Sequence, residues 1–193
     1  MEALILVDSD EILALQQGDR AAFQRLVGTY SEKIYRLALS ILQHQEDAED
    51  VTQDVFTTVY SSIAQFKQDA KLSTWMYRIT VNKCQELIRR KSRKKRFGFM
   101  TSLDQLESTK TSDFMHPGVE LENKERAAIL FKAINRLPEN QRLAFTMHKL
   151  EGIPYDEIAQ ILNVTLASIE SLLYRAKQQL KQSLSDYYEE NER

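Results

Sequence analysis

Apolar residues at Phe23, Leu26, Val27, Tyr30, Ile34, Leu37, Ala38 and Ile41 step by three and four, the period of one buried stripe on an α-helix. Gly18-Asp19 just before the stripe reads as a turn and an N-cap, and a shorter helix with Ile12 and Leu15 inward precedes it. His44-Gln45 interrupts the pattern, and a second stripe follows at Ala48, Val51, Val55, Val59, Ile63 and Phe66. Its opposite face carries Asp47, Asp50, Gln53, Asp54 and Tyr60. A third helix is predicted to begin after Asp69-Ala70-Lys71-Leu72-Ser73 and to run through Trp75, Ile79 and Leu87 into a basic run.

Residues 98–120 lose this periodicity; they are rich in Ser, Thr and Asp and contain Pro117-Gly118, the composition of an interdomain linker. Helical pattern resumes near Leu121 and runs through Ile129, Leu130 and Ile134 to Leu137. Pro138 can open a new helix at its first turn, where a missing N–H costs little. That helix carries Leu143, Phe145, Met147 and Leu150 and ends at Gly152, a good C-cap residue. Tyr155 to Leu162 is a short helix, Asn163-Val164 a turn and Thr165 an N-cap. A last helix turns Ile169, Leu172, Leu173, Ala176, Leu180 and Leu184 inward. No segment reads as a strand. The pattern predicts an all-α chain of two small helical domains, 1–97 and 121–193, joined by a flexible linker over 98–120.

Composition narrows the function classes. One cysteine excludes an internal disulfide framework and a multi-cysteine zinc site, and three scattered histidines argue against a histidine-rich metal centre. Apolar runs fall short of the ~18–20 residues that span a bilayer, and the apolar residues 3–7 lack a basic flank, so a cytoplasmic protein with no membrane insertion is expected. The net charge of −2 conceals strong segregation, because residues 1–66 carry −7, residues 67–97 carry +9 and residues 98–123 carry −4. The densest stretch, Arg89-Arg90-Lys91-Ser92-Arg93-Lys94-Lys95-Arg96, fits either a solvated tail or a phosphate-binding patch.

Two features point to nucleic acid. Asp156–Leu162, the tight turn and the longer helix form a helix-turn-helix pattern, with a plain helical hairpin as the alternative. On the last helix Ser168, Glu170, Ser171, Tyr174, Arg175, Lys177 and Lys181 are left to face outward, a mixture suited to bases and phosphates. On the third helix Lys71, Thr74, Arg78, Asn82, Gln85 and Arg89 share one face, with Trp75 and Tyr77 at its margins. Cations interleaved with aromatics suit single strands, where a base stacks on a ring while a cation holds the backbone; Trp75 alone could equally be a core residue. The acidic stretch Glu46–Asp54 reads as a solvated helix start or as a protein-docking face. No catalytic constellation, Gly-rich phosphate loop or metal site is present in the sequence, and no cofactor is expected; Cys84, inside a helical pattern, reads as packing.

Ala48-Glu49-Asp50-Val51-Thr52-Gln53-Asp54-Val55-Phe56 and Leu72-Ser73-Thr74-Trp75-Met76-Tyr77-Arg78-Ile79-Thr80-Val81-Asn82 resemble the polymerase-binding and promoter-melting region of the extracytoplasmic-function (ECF) sigma factors. Leu137-Pro138-Glu139-Asn140-Gln141-Arg142, Tyr155-Asp156-Glu157-Ile158-Ala159 and Tyr174-Arg175-Ala176-Lys177 resemble their C-terminal domain, in the family's order and spacing. The resemblance implies a non-enzymatic initiation factor that binds core RNA polymerase and promoter DNA and is held by an anti-sigma factor. It implies polymerase docking for Asp50, Gln53 and Asp54. It implies −10 element binding for the loop and helix residues Phe66, Lys67, Lys71, Ser73, Thr74, Trp75, Arg78 and Asn82. The last helix would read the −35 element, and the linker would thread the polymerase's RNA-exit region. Two positions depart from the family's habit: Glu170 stands where a cation is common and Leu172 where Arg is frequent. Glu170 can accept from cytosine N4 but repels phosphate. The rival readings are a stand-alone helix-turn-helix regulator, which would need no single-strand site, and a protein-interaction module, which would need no basic run.

Overall fold

The computed structural model describes residues 9–97 and 124–191. Among them are eight α-helices and no strand: α1 (Ser9–Gln16), α2 (Arg20–Leu42), α3 (Gln45–Ser62), α4 (Leu72–Phe97), α5 (Lys124–Asn135), α6 (Glu139–Lys149), α7 (Tyr155–Leu162) and α8 (Leu166–Asn191). A 3₁₀ turn, Ile63–Gln65, closes α3. The proposed linker over 98–120 and the apolar residues 3–7 lie outside the described residues.

Local chemistry sets the helix ends. The Asp19 carboxylate accepts from the backbone N–H groups of Ala21 and Ala22, which caps α2 and draws the Asp19 pKa below its usual value. Gln43 ends α2 in the left-handed region at φ 52°, and the next residue, His44, caps α3 by accepting from Asp47 N–H. That pair of caps is the physical content of the break the sequence showed at His44-Gln45. Pro138 is the N-cap of α6 and accepts from Arg142 N–H; it sits one position before the first turn in which the sequence placed it. Gly152 lies beyond the end of α6 at φ 68°, in the turn closed by Ile153 N–H on Met147 C=O.

Helices α2, α3 and α4 pack on one another around Ile34, Leu37, Val55, Val59, Met76 and Val81, all nearly inaccessible. The predicted stripe of α3 is buried in full, and that of α2 is buried except at its margin. There Phe23 and Val27 are only half-buried, Ala22 faces the core, and the Phe23 ring meets Tyr60 edge-on at 5.0 Å. In α6 the inward set is Leu143, Ala144 and Met147, with Gln141 and Thr146 also buried. Phe145 is half-buried because it bridges the main core and a smaller cluster of Phe131, Ile134, Leu137, Ala176 and Leu180.

The two halves of the chain are closed on each other. The main core runs from α1–α4 into Leu143 and Met147 of α6, Ile158 and Ile161 of α7, and Ile169 and Leu173 of α8. Helix α7 packs on α4, and α6 packs on α2. Polar contacts seal the edge: Arg36 Nε lies 3.6 Å from Glu151, Ser40 donates to Glu151, and Asn135 donates to Gln43.

Candidate nucleic-acid interface

Asp50, Gln53 and Asp54 project from the outer face of α3 at i, i+3 and i+4 and are exposed. They line a cleft of about 300 Å³ against α4, whose opposite wall carries Lys83, Arg90 and Lys91. Lys91 Nζ reaches 2.5 Å from Asp47, which is also 3.4 Å from His44. The start of the basic run is therefore helical and folded against the acidic helix, and Asp47 is already partnered while Asp50 and Asp54 remain open to a visitor.

The α4 stripe forms one face, as its spacing required, and the C-terminal half borders it: Thr74 is buried, Arg78 and Gln85 are half-buried, and Lys71, Asn82 and Arg89 stay exposed. Lys71 Nζ pairs with Glu157 at 2.5 Å, and this hydrogen bond raises the lysine pKa. Thr74 is fully buried and donates to the same carboxylate at 3.4 Å. Arg78 Nη2 donates to the Gln160 carbonyl at 2.6 Å, near the C-terminal end of α7. Gln85 donates to Glu139, and Arg89 lies 3.9 Å from it. Asn82 is exposed and lines a cleft of about 730 Å³ with Ile88 and Arg93 of α4 and Glu139 of α6. Tyr77, at the margin of the stripe, has its hydroxyl pKa pushed up to about 12 by burial, with Glu157 and Glu151 among the nearby charges.

At the N-terminal end of this face the loop from Phe66 to Lys71 turns through Gln68 at φ 59°. Phe66 is buried, with its carbonyl held by Gln16 Nε2 at 2.9 Å, and its ring lies against Trp75 at 5.0 Å. Trp75 and Ser73 are half-buried, and Lys67 is exposed.

In the C-terminal half Asn163 ends α7 at φ 53°, Val164 N–H closes on Ala159 C=O, and the Thr165 hydroxyl accepts from Ser168 N–H to cap α8. The result is the tight turn of a helix-turn-helix. Glu170, Ser171, Tyr174, Arg175, Lys177 and Lys181 are exposed, Tyr174 by 66%, and Ser168 is half-buried beside Thr165. Arg175 folds back onto Ser171 C=O.

The sequence reading missed Glu157, Gln160, Glu139 and Glu151 as contacts. Glu157 had a signal: it is i−1 and i−4 to the core residues Ile158 and Ile161, so its carboxylate sits on the inward side of α7 and required a partner when buried. Two apolar side chains at the helix-turn-helix elbow, Val164 and Leu166, are also exposed. Among the described residues no cluster of His, Cys, Asp and Glu could hold a metal ion, and no helix is long and apolar enough to cross a membrane.

Comparison with known proteins matches the geometry. Residues 26–94 match the model of Sigma-70 region 2, and residues 127–180 match that of Sigma-70, region 4. The chain is 30% identical over 182 residues to the ECF RNA polymerase sigma-E factor of Haemophilus influenzae, covering 93% of this chain and 96% of that protein. It is 28% identical over 184 residues to the RNA polymerase sigma-H factor of Pseudomonas aeruginosa, covering 92% and 93%. Similar folds are CnrH, solved in complex with the cytosolic domain of CnrY (TM-score 0.66, 23% identity, 93% of this chain and 99% of that one), and the sigma factor RpoE of Bartonella quintana, solved with the anti-sigma factor NepR (TM-score 0.65, 22% identity, 84% and 96%). Match to both sigma regions in order disfavours a stand-alone helix-turn-helix regulator and leaves one assignment: the chain belongs to the ECF family of RNA polymerase sigma factors, which are transcription initiation factors.

Proposed function

We propose that this chain works in the cytoplasm as the promoter-recognition subunit of an RNA polymerase, without enzymatic activity of its own. It binds core polymerase, recognises −35 and −10 promoter elements and starts transcription of a specific set of genes. Asp50, Gln53 and Asp54 dock on the polymerase, their carboxylates and amide forming one exposed acidic face. Lys71, Ser73, Thr74, Trp75, Arg78 and Asn82, with the loop residues Phe66 and Lys67, hold the melted −10 strand: the ring takes a base and the cations the backbone. In α8, Glu170, Ser171 and Tyr174 face bases, while Arg175, Lys177 and Lys181 lie nearer the phosphates, and Ser168 belongs to the same DNA-binding set. Bartonella quintana RpoE was solved with an anti-sigma factor, and we extend that partner class to this chain.

The observation that supports this reading best is the presence on one chain of three chemically distinct faces, on α3, α4 and α8. The test is binding of the purified chain to core polymerase, followed by competition with another sigma factor. Stoichiometric, competitive binding is expected; failure to bind core refutes the reading.

A further inference from the structure

Helix α1 lies ahead of residues 26–94, the stretch matched to Sigma-70 region 2, and none of its residues belongs to the three faces. It is nevertheless tied firmly into the fold. Ile12 and Leu15 are buried. Gly18 at φ 81° turns the chain so that Asp19 N–H closes on Ala14 C=O, while the Asp19 carboxylate caps α2. Glu11 lies 3.4 Å from Arg25 of α2. These contacts aim the end of α1 at the loop between α3 and α4. Helix α1 packs on the 3₁₀ turn that closes α3, and the half-buried Gln16 donates from Nε2 to the Phe66 carbonyl at 2.9 Å.

Phe66 opens that loop, and its other groups are also engaged: its N–H donates to Ile63 C=O, and its ring lies against Trp75. Trp75 closes the far end as well, donating its N–H to Lys71 C=O at 3.1 Å. Between the two ends Lys67, Gln68 and Asp69 are exposed. Gln68 holds φ 59°, a left-handed conformation that a non-glycine residue keeps only where its surroundings impose it. The direction in which this tip leaves the fold is set by rotation of the Phe66–Lys67 peptide plane about Phe66 ψ, which stands at 114°. A carbonyl held at the ordinary hydrogen-bond distance by a side chain 50 positions away resists that rotation. A loop set in advance loses less freedom when a base binds, and it presents one geometry rather than several.

We propose that Gln16 is a positioning residue for −10 recognition: its donation to the Phe66 carbonyl fixes the Phe66–Lys67 peptide plane, and with it the direction in which Lys67, Gln68 and Asp69 meet the bases of the −10 strand. The proposal rests on the −10 assignment of this loop. Gln16 acts through Phe66 and not on DNA, so its loss relaxes the choice of base while the cations and the ring that hold the strand remain. Only the donor of the amide is required. A side chain of similar reach that carries a donor can replace it, and a carboxylate of the same shape cannot.

The test uses holoenzyme assembled from the full chain and core polymerase. Its probe is a promoter recovered by run-off transcription from genomic fragments, with the −10 element pre-melted and randomised. Sequencing of the bound DNA reads base discrimination at each position, and core affinity and thermal midpoint are measured in parallel. Gln16→Glu keeps the shape and replaces the donor by an acceptor, Gln16→Met removes both, and Gln16→Lys restores a donor. A tip variant, Lys67→Ala/Gln68→Gly/Asp69→Ala, removes the exposed side chains of the loop and leaves Gln16 in place. Gln16→Glu and Gln16→Met are expected to lose at least fivefold in discrimination at the −10 positions where the tip variant loses it, with core affinity unchanged. Gln16→Lys is expected to stay within twofold of wild type. Wild-type discrimination in Gln16→Glu and Gln16→Met, beside a loss in the tip variant, overturns the positioning role and leaves the −10 assignment standing. An equal loss in Gln16→Lys, or a loss that comes with weaker core binding and a lower midpoint, makes Gln16 a packing residue and also overturns the proposal. A tip variant that discriminates like wild type overturns the −10 assignment of the loop, and the proposal with it.

Discussion

The rings of Phe66 and Trp75 lie 5.0 Å apart at an interplanar angle of 37°, yet they sit in different surroundings. Phe66 is buried beneath the loop it starts, and Trp75 is half-buried on the helix that follows. The phenyl ring thus braces an indole that keeps part of its surface available. Phe66→Ala is expected to destabilise the fold by about 3 kcal/mol, the order found for removing a buried aromatic, and to lower the thermal midpoint. Trp75→Ala should cost less stability and should reduce opening of a duplex promoter by permanganate footprinting. A pre-melted −10 region should recover the loss if Trp75 assists melting. Wild-type opening in Trp75→Ala would reduce Trp75 to a packing residue.

Polymerase affinity should respond to α3 separately from stability. Asp50→Arg with Gln53→Ala alters two exposed side chains, and exposed substitutions change stability by less than ~0.5 kcal/mol as a rule. Core affinity is expected to fall at least tenfold, with circular dichroism and thermal midpoint unchanged. Equal core affinity in titration would remove α3 from the docking surface.

Promoter choice should separate into base and phosphate terms on α8. Lys181→Ala should weaken binding alike on all −35 sequences and flatten the salt dependence by about one phosphate contact. Glu170→Lys should change the preferred −35 sequence, by roughly 1–3 kcal/mol at the contacted base, and raise non-specific affinity. Selection from a randomised −35 library with holoenzyme reads both. Identical selected sequences would mean that Glu170 does not face the bases.

Alkaline pH should unlock the N-terminal core. Burial pushes the Cys84 thiol up to about 12 from 9.0, and the Tyr77 hydroxyl up to about 12 from 10.0. Both groups ionise first in the unfolded chain, so their neutral forms contribute fully below pH 9.0, and that contribution declines as pH rises toward 12. Urea midpoints should fall steadily above pH 9.0, and Cys84→Ala should flatten the fall. At neutral pH a thiol reagent should label Cys84 only as fast as the chain opens. Immediate stoichiometric labelling of the folded protein would contradict its burial.

The fold was largely legible because each helix carries its own period and its own cap. Asp19, Thr165 and Asn163 mark ends that depend only on neighbours in the chain, and the α3 stripe from Ala48 to Phe66 is buried as read. In α6 the apolar residues were legible but the face each one packs on was not, because Leu143, Phe145 and Met147 alternate in a way no single helix face can bury. Phe145 escapes that conflict by packing between two cores, which only the tertiary arrangement supplies. The α4 face was legible as a stripe, but its partners across the chain were not. Lys71 and Glu157 are 86 positions apart, and nothing local ties one to the other. Glu157 marks the general case: a carboxylate on an apolar helix face announces that a partner exists without saying where.

Added to core polymerase, this chain should open and transcribe promoters through α3, α4 and α8 together. Run-off transcription with purified core polymerase on a pool of genomic fragments tests it most directly, with wild type, Asp50→Arg/Gln53→Ala and Trp75→Ala run in parallel. A small set of discrete transcripts is expected with wild type, lost with the docking variant at limiting concentration and restored when that variant is in excess, and reduced with Trp75→Ala at any concentration. No promoter-dependent transcript with wild type, or equal transcription by all three proteins, would contradict the account.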